Sequence, residues 1–534
     1  MRENHDYFFK IADRPAEFTQ IHELNYHTFS EEIPQHPKNL EKKLIDSFHE
    51  ENTYIICLKQ EEVIGMIAIR AQRPFSLDRK IGPVEESLPF TIQKPCEIRL
   101  LAVKIDYRQG RVFLGLVQFL IKYCLKNGYD IALISGTVRQ LKLYGQMGFQ
   151  PFAMLTGAIE ASYQPMYLTK ETFEASIAGR LLRPPTAFLP GPVSISDEVR
   201  AAFDKDPYSH RSAFFKDKMD HVKEQLCRLV DCRYTQVLLG TGTLANDLVA
   251  AQLSLETGRG VILTNGEFGS RLVEQAQRAG LDFDVLDKEW GLPFSHEEIA
   301  ACITDETAWI WAVHSETSTG MLNKLNILKA VAQEHQLKLC LDCISSIGAV
   351  DLDLSGVFLA TGVSGKALKS YTGLSFVFHH HKVAPSPLLP TYLDLGTYAE
   401  KESIPFSQSS NLVEALLTAI NSVTQERLAK IAAIHQSIRQ KLSKYGFQLI
   451  TAEENSSPII VTVPLPKTTP SSTVGELLYC NGYLLHYESE YLRQQNWIQI
   501  ACIEDYSKEQ IEKMAYLFHQ AYKSWCQAPK IMVQ

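Results

Sequence analysis

The sequence predicts an α/β protein built from at least two folded units, and three observations carry that expectation. Its 534 residues exceed the roughly 100 to 200 of one ordinary domain, so a single core does not account for the chain. Over the larger C-terminal part, short apolar runs alternate with helix-length amphipathic segments, as in Val261 to Thr264, Arg271 to Ala279 and Leu281 to Leu286. That alternation belongs to a mostly parallel sheet covered by helices. Between 179 and 192 the chain reads GRLLRPPTAFLPGP, and four prolines with two glycines in fourteen residues neither propagate a helix nor fit a central strand. The junction is placed there. The expected division is a first α+β domain over 1–175, a linker over 176–192, a large domain over 186–400 and a small C-terminal subdomain over 401–534.

Composition narrows the function classes. Hydrophobic residues make up 45% and charged residues 21%, an ordinary globular balance that excludes fibrous and wholly disordered readings. The 53 Lys and Arg against 61 Asp and Glu give a net charge of −8, so the chain as a whole does not attract polyanions and no nucleic acid partner is expected. The start, Met1-Arg2-Glu3-Asn4-His5-Asp6, lacks an apolar core and does not read as a secretory signal. The longest apolar stretch, Val112 to Leu125, is interrupted by Gln118 and Lys122 and falls short of the ~20 residues of a membrane span, so a cytoplasmic protein without membrane contact is expected. The 11 Cys read as reduced thiols. Cys340 and Cys343 have CxxC spacing but lie inside an apolar run without a second pair, and His379-His380-His381 reads as a solvated strand end, so no metal site is assigned.

Chemistry concentrates in the C-terminal part. Val237-Leu238-Leu239-Gly240-Thr241-Gly242-Thr243-Leu244 passes from an apolar strand through a Gly/Thr loop into a helix. Glycines let backbone close around an anion, hydroxyls donate to it, and the helix start adds unpaired N–H groups. A plain strand-to-helix turn uses the same residues, and the absence of a P-loop lysine disfavours a nucleoside triphosphate. Asp342 ends the apolar run Lys338 to Leu341, where open α/β sheets collect their ligands. A carboxylate there calls for a positive partner such as a protonated pyridine nitrogen. Lys366 follows in the small-residue loop Gly362-Val363-Ser364-Gly365. If its surroundings depress its pKa, it can form a Schiff base with an aldehyde. Taken singly, a helix-capping aspartate and a surface lysine are the simpler readings.

Taken in order, these segments resemble the class V aminotransferases, fold type I enzymes that use pyridoxal 5′-phosphate. The resemblance runs over about 186 to 525 and adds Leu189-Pro190-Gly191-Pro192, His210-Arg211-Ser212, Asn265-Gly266-Glu267-Phe268-Gly269-Ser270-Arg271 and His314-Ser315-Glu316-Thr317-Ser318-Thr319-Gly320. It implies a mostly parallel large domain with a small α/β subdomain, and an aminotransferase acting on a small amine or amino acid with a keto-acid or aldehyde co-substrate. By the same resemblance Lys366 carries the cofactor and shuttles a proton, and Asp342 keeps the pyridine nitrogen protonated. Phe268 stacks on the ring, Thr317 hydrogen-bonds near its phenolic oxygen, Ile344 joins the cofactor-binding set, and Thr241, Gly242 and Thr243 hold the phosphate. Ser403 is expected to reach the phosphate of a neighbouring subunit, which implies a homodimer. The chain departs from the family twice. Gly365 replaces a hydrogen-bonding residue before the lysine, so that one phosphate contact is either missing or supplied by Ser364, and the usual Arg-Ile-Gly of the last strand reads Gln499-Ile500-Ala501. Gln499 makes no bidentate fork with a carboxylate, so Gln499 and Arg493 stand as candidate substrate contacts and the substrate is left open.

The N-terminal part resembles the GNAT acyltransferases over about 5 to 170. The strand Glu97 to Val103, the loop Tyr107-Arg108-Gln109-Gly110-Arg111, the apolar helix after it and Tyr144-Gly145-Gln146-Met147-Gly148-Phe149 follow that family's order. The resemblance implies acyl-CoA as co-substrate, Tyr144 as the acid for the departing thiolate and Glu97 as a proton relay. Arg111 and Phe113 stand where small residues are usual, so a domain without catalysis is an open alternative. For the whole chain, a pyridoxal-phosphate-dependent lyase or decarboxylase, and a sensor that binds pyridoxal phosphate or acyl-CoA without turnover, stand beside the transaminase reading.

Overall fold

The computed structural model describes residues 7–33, 35–108, 110–157, 162–181 and 184–526. These fall into two units: one gathers the described residues of 1–186, 473–484 and 516–534, the other 187–472 and 485–515.

The β-branched runs of the first unit form strands as expected. Asn52–Lys59 and Glu62–Arg70 pair antiparallel around Gln60, whose left-handed φ of 57° makes the turn tight. The seven-stranded sheet runs Tyr7–Ile11, Asn52–Lys59, Glu62–Arg70, Pro95–Val103, Ile131–Thr137, Tyr163–Thr169, Gln150–Pro151. Its parallel contact joins Pro95–Glu97 to Ile131–Leu133, and the register stops there although both strands continue. The strands therefore part after three residue pairs. On the other edge of Pro95–Val103 the register slips opposite Met66 and Ala68, with Leu100 at φ 53°, which is a β-bulge that re-aims the strand beside this gap. The helix Arg111–Lys126 buries Val112, Leu116, Phe119 and Leu120 against the sheet. Chain from far along the sequence completes the unit: Asn481 both donates to Phe9 O and accepts from Phe9 N, so its side-chain amide pairs with the first strand as a neighbouring strand would.

The second unit is organised by a seven-stranded sheet in the order Phe283–Asp287, Arg259–Thr264, Thr307–Val313, Lys338–Asp342, Leu359–Val363, Leu374–His379, Tyr234–Leu239. The first five strands are parallel, and Leu374–His379 is antiparallel to both of its neighbours. Runs such as Ile310, Trp311 and Ala312 are buried completely because helices cover both faces. Trp309 takes its space from Gly260 opposite: a Cβ on Gly260 would lie 2.2 Å from the indole. A separate antiparallel pair, Ile460–Pro464 with Trp497–Ala501, lies in the C-terminal part of this unit.

Candidate active site

Parallel strands bring sequence-distant residues to one edge. Asp342 is the last residue of its strand, Lys366 follows the strand ending at Val363, Thr241 follows Leu239, and His314 follows Val313. All stand at carboxyl ends, where a doubly wound sheet binds its ligands.

Asp342 is nearly fully buried. Asn246 donates to its Oδ2 at 2.8 Å and the Ile344 N–H to its Oδ1 at 2.9 Å. Thr361 Oγ1 donates to Asn246 Oδ1 at 2.8 Å, which turns the Asn246 amide nitrogen toward the carboxylate. Burial pushes the Asp342 pKa up, while the two hydrogen bonds and the Lys366 charge pull it down. The opposite holds for Lys366: burial lowers its pKa first, Asp342 raises it and Arg271 lowers it further. The two groups are thus close enough for each charge to act on the other. Lys366 sits at φ 52°, a left-handed conformation imposed between Gly365 and the short turn that follows.

Around this pair the Gly/Thr segment begins a helix, Gly242–Leu253, with Thr241 as its N-cap. Thr241 and Thr243 are exposed, and among the described residues neither hydroxyl has a partner. Gly242 must lack a side chain, since a Cβ there would lie 2.4 Å from Ile344 Cδ1. The first turn of the helix Glu267–Arg278, which carries Phe268, is fixed by Glu316, which is completely buried. Its carboxylate accepts from Gly269 N at 2.9 Å, Phe268 N at 3.4 Å and Ser318 N at 3.1 Å. It thereby caps the helix Glu267–Arg278, where a negative charge is favoured. Burial raises the Glu316 pKa against these bonds. Thr317 is buried beside it, and His314, held to Ser346 at 2.9 Å, is kept neutral by burial that pushes its pKa down to about 4.

Three expectations are corrected. Gln499 is completely buried and its amide is filled by protein: the nitrogen donates to Thr317 O, Ser318 O and Thr462 Oγ1, and Oε1 accepts from Tyr491 Oη and His486 Nδ1 at 3.1 Å each. With Oε1 accepting, the His486 proton lies on Nδ1, and Nε2 accepts from Ser489 Oγ at 2.7 Å. The residue that replaces the family's arginine is a strut, with no capacity left for a substrate. Arg493 is exposed on the helix Glu490–Gln495. Ser403 does not face a neighbouring subunit, because it is completely buried and its hydroxyl donates to Gln236 and accepts from Val237 N. Ser364 is no substitute phosphate ligand either: its hydroxyl is bound to Tyr371 O at 2.6 Å and to Leu374 N.

In the first unit Tyr144 is half-buried on the helix Leu141–Gln146 and packs against Phe149 and Gly136. Glu97 is elsewhere engaged, and this too is a correction. Its buried carboxylate accepts from Ser76 N, Ser76 Oγ and Leu77 N and so clamps the loop after the third strand, which leaves it a poor open base. The helix expected at the phosphate loop begins at Arg111, after Gly110 at φ 93°; Gln109 lies outside the described residues. Sequence reasoning missed Asn246, His486 and Tyr491. Asn246 was findable, one helical turn after Gly242 on the face that meets the sheet.

Residues 201–404 match the family described as aminotransferase class-V, and residues 24–118 match an acetyltransferase (GNAT) domain. The chain is 30% identical over 302 residues to a protein named as the 42 kDa subunit of a soluble hydrogenase from Anabaena cylindrica, covering 52% of this chain and 78% of that one. It is 26% identical over 344 residues to a 2-aminoethylphosphonate–pyruvate transaminase from Pseudomonas fluorescens, covering 60% and 91%. An alanine–glyoxylate aminotransferase structure from Nostoc sp. superposes with a TM-score of 0.57 at 25% identity, over 64% of this chain and 96% of that one. The chain belongs to the class V aminotransferase family and carries a GNAT domain. It is a pyridoxal-phosphate-dependent transaminase. The residues present fit that cofactor: among the described residues the buried Asp342 has no cationic partner beyond Lys366, and the hydroxyls of Thr241 and Thr243 stand unpaired at a helix start.

Gln499→Arg is expected to destabilise the protein rather than create a carboxylate clamp, because it sets guanidinium donors against the Tyr491 hydroxyl and the His486 N–H. A loss of about 1–3 kcal/mol is expected in denaturant unfolding, with no gain in affinity for keto acids.

Proposed function

We propose that the second unit transfers an amino group from a small amine or amino acid to a keto acid or aldehyde, in the cytoplasm and as a homodimer, with Lys366 and Asp342 as the groups that work the cofactor. The observation that carries this is the pairing of a buried acid and a buried amine at the carboxyl edge of one sheet, each within reach of the other's charge. Pyridoxal phosphate, when bound, supplies an aldehyde for covalent attachment and an electron-withdrawing ring. Asp342 holds a proton on the ring nitrogen, and Asn246 and Ile344 N orient its carboxylate for that contact. Thr241, Gly242 and Thr243 would hold the phosphate, Phe268 would stack on the ring, Ile344 would contact the cofactor, and Thr317 would hydrogen-bond near the phenolic oxygen. Burial, with Arg271, pulls the Lys366 pKa below its ordinary value against the opposing pull of Asp342, which favours its use as a nucleophile and as a group that moves a proton at Nζ. The sealed Gln499 favours an amino donor without the usual α-carboxylate, in keeping with relatives named for 2-aminoethylphosphonate.

For the first unit we propose acyl transfer from acyl-CoA to an amine, on the observation that its two central parallel strands part after three pairs beside a bulge, opening backbone donors to an extended ligand. The C–N bond forms and the C–S bond breaks, the amine nitrogen gives up one proton to solvent, and Tyr144 Oη delivers a proton to the departing thiolate and is reprotonated from solvent.

Asp342→Asn is expected to keep the cofactor's absorbance band while losing about a hundredfold or more in amino transfer; turnover equal to wild type would refute the assignment. In the full chain, Tyr144→Phe is expected to slow release of free CoA from acetyl-CoA in the presence of amines about tenfold or more. Absence of release from the wild-type protein across an amine panel would remove the acyltransferase reading.

A further inference from the structure

A transaminase that uses a keto acid must place an acid group near the reacting nitrogen, and an anion drawn out of water needs a cation to meet it. The position that supplies this cation elsewhere in the family is closed here, because all the hydrogen-bonding capacity of Gln499 is spent on Thr317, Ser318, Thr462, Tyr491 and His486. Another cation stands at the same site. Arg271 lies one turn into the helix that Glu316 caps, with its guanidinium 5.0 Å from the centre of the Phe268 ring. Phe268 in turn meets Tyr491 edge-on at 6.5 Å, so the arginine, the aromatic pair and the sealed Gln499 form one wall. The positive charge of Arg271 acts on Lys366 and on Tyr491, which places it within electrostatic reach of the reacting amine.

The only carboxylate bound to Arg271 among the described residues is that of Glu267, four residues earlier on the same helix, with Nε and Nη2 each 3.0 Å from Oε1. The arginine is 55% exposed and the glutamate 28%, so this is a solvent-accessible pair of the kind that is weak and easily exchanged. One glutamate oxygen takes both contacts, and the planar fork is not used in its bidentate form.

Resting on the transaminase reading of this site, we propose that Arg271 is its anion anchor: the guanidinium exchanges Glu267 for the acid group of the co-substrate, a carboxylate or a phosphonate, with Glu267 as the internal counter-ion that occupies it between turnovers. The specificity-determining cation thus stands on the helix that carries Phe268 rather than on the last strand. The pocket can then accept an amino donor that has no α-carboxylate and still hold an acid-bearing partner.

Calorimetric titration of the full-length holoenzyme with maleate, a dicarboxylate with neither amino nor keto group, tests this, with uncharged maleamide as control. Arg271→Gln is expected to weaken maleate binding at least tenfold and to leave maleamide unchanged, with the cofactor band intact. Glu267→Gln, which keeps the shape and removes the competing charge, is expected to tighten maleate a few-fold, and its opposite sign separates anchoring from simple loss of structure. Maleate binding that is absent from wild type, or unchanged in both variants, overturns the anchor. A wild-type protein that takes up no cofactor band on incubation with pyridoxal phosphate overturns instead the reading of the site on which the anchor rests.

Discussion

The site depends on a shared burial acting with opposite sign on two charges. At the carboxyl edge of the second sheet the same loss of water pushes the Asp342 acid up and the Lys366 amine down. A carboxylate so placed destabilises the fold unless a positive group meets it, and a lysine so placed is held as a nucleophile. A ligand that presents a protonated nitrogen to the acid and an aldehyde to the amine satisfies both at once. Asn246 and Thr361 prepare the acid for that contact before any ligand arrives, since their hydrogen bonds fix which face of the carboxylate is free.

The surrounding structure reads as support for this pair. Glu316 accepts from backbone N–H groups and from Ser318 Oγ, and holds the start of the helix that bears both Phe268 and Arg271. Gln499 ties the last strand to the carbonyls of Thr317 and Ser318 and, through His486, to Ser489. Gln499 is internal scaffolding and brings no cation to the site. The ion pair of Arg271 and Glu267 is the adjacent feature with the charge to replace it.

Much of this was legible before the structure because it is encoded locally. The strand alternation is realised in the parallel sheet, and Asp342 and Lys366 stand as charges at the ends of apolar runs. What escaped was set by long-range pairing. Asn246 and Asp342 are 96 residues apart, Gln499 and Thr317 are 182 apart, and no periodicity in either segment announces the other. Ser403 and Ser364 misled for the complementary reason: a small hydroxyl beside a motif looks available in sequence, and here each is consumed by nearby backbone. Glu97 was placed on the right strand, yet its carboxylate was committed to a loop 20 residues earlier. The first unit also recruits residues 473–484 and 516–526, which no reading of a linear boundary anticipates.

The central claim is that one coenzyme touches both Asp342 and Lys366. Borohydride reduction of the protein loaded with pyridoxal phosphate, followed by peptide mass mapping, tests it most directly. A pyridoxyl group on the peptide containing Lys366, lost in Lys366→Ala and accompanied by bleaching of the visible band, is the predicted result. Modification confined to other lysines, with Lys366 unlabelled, would contradict the account.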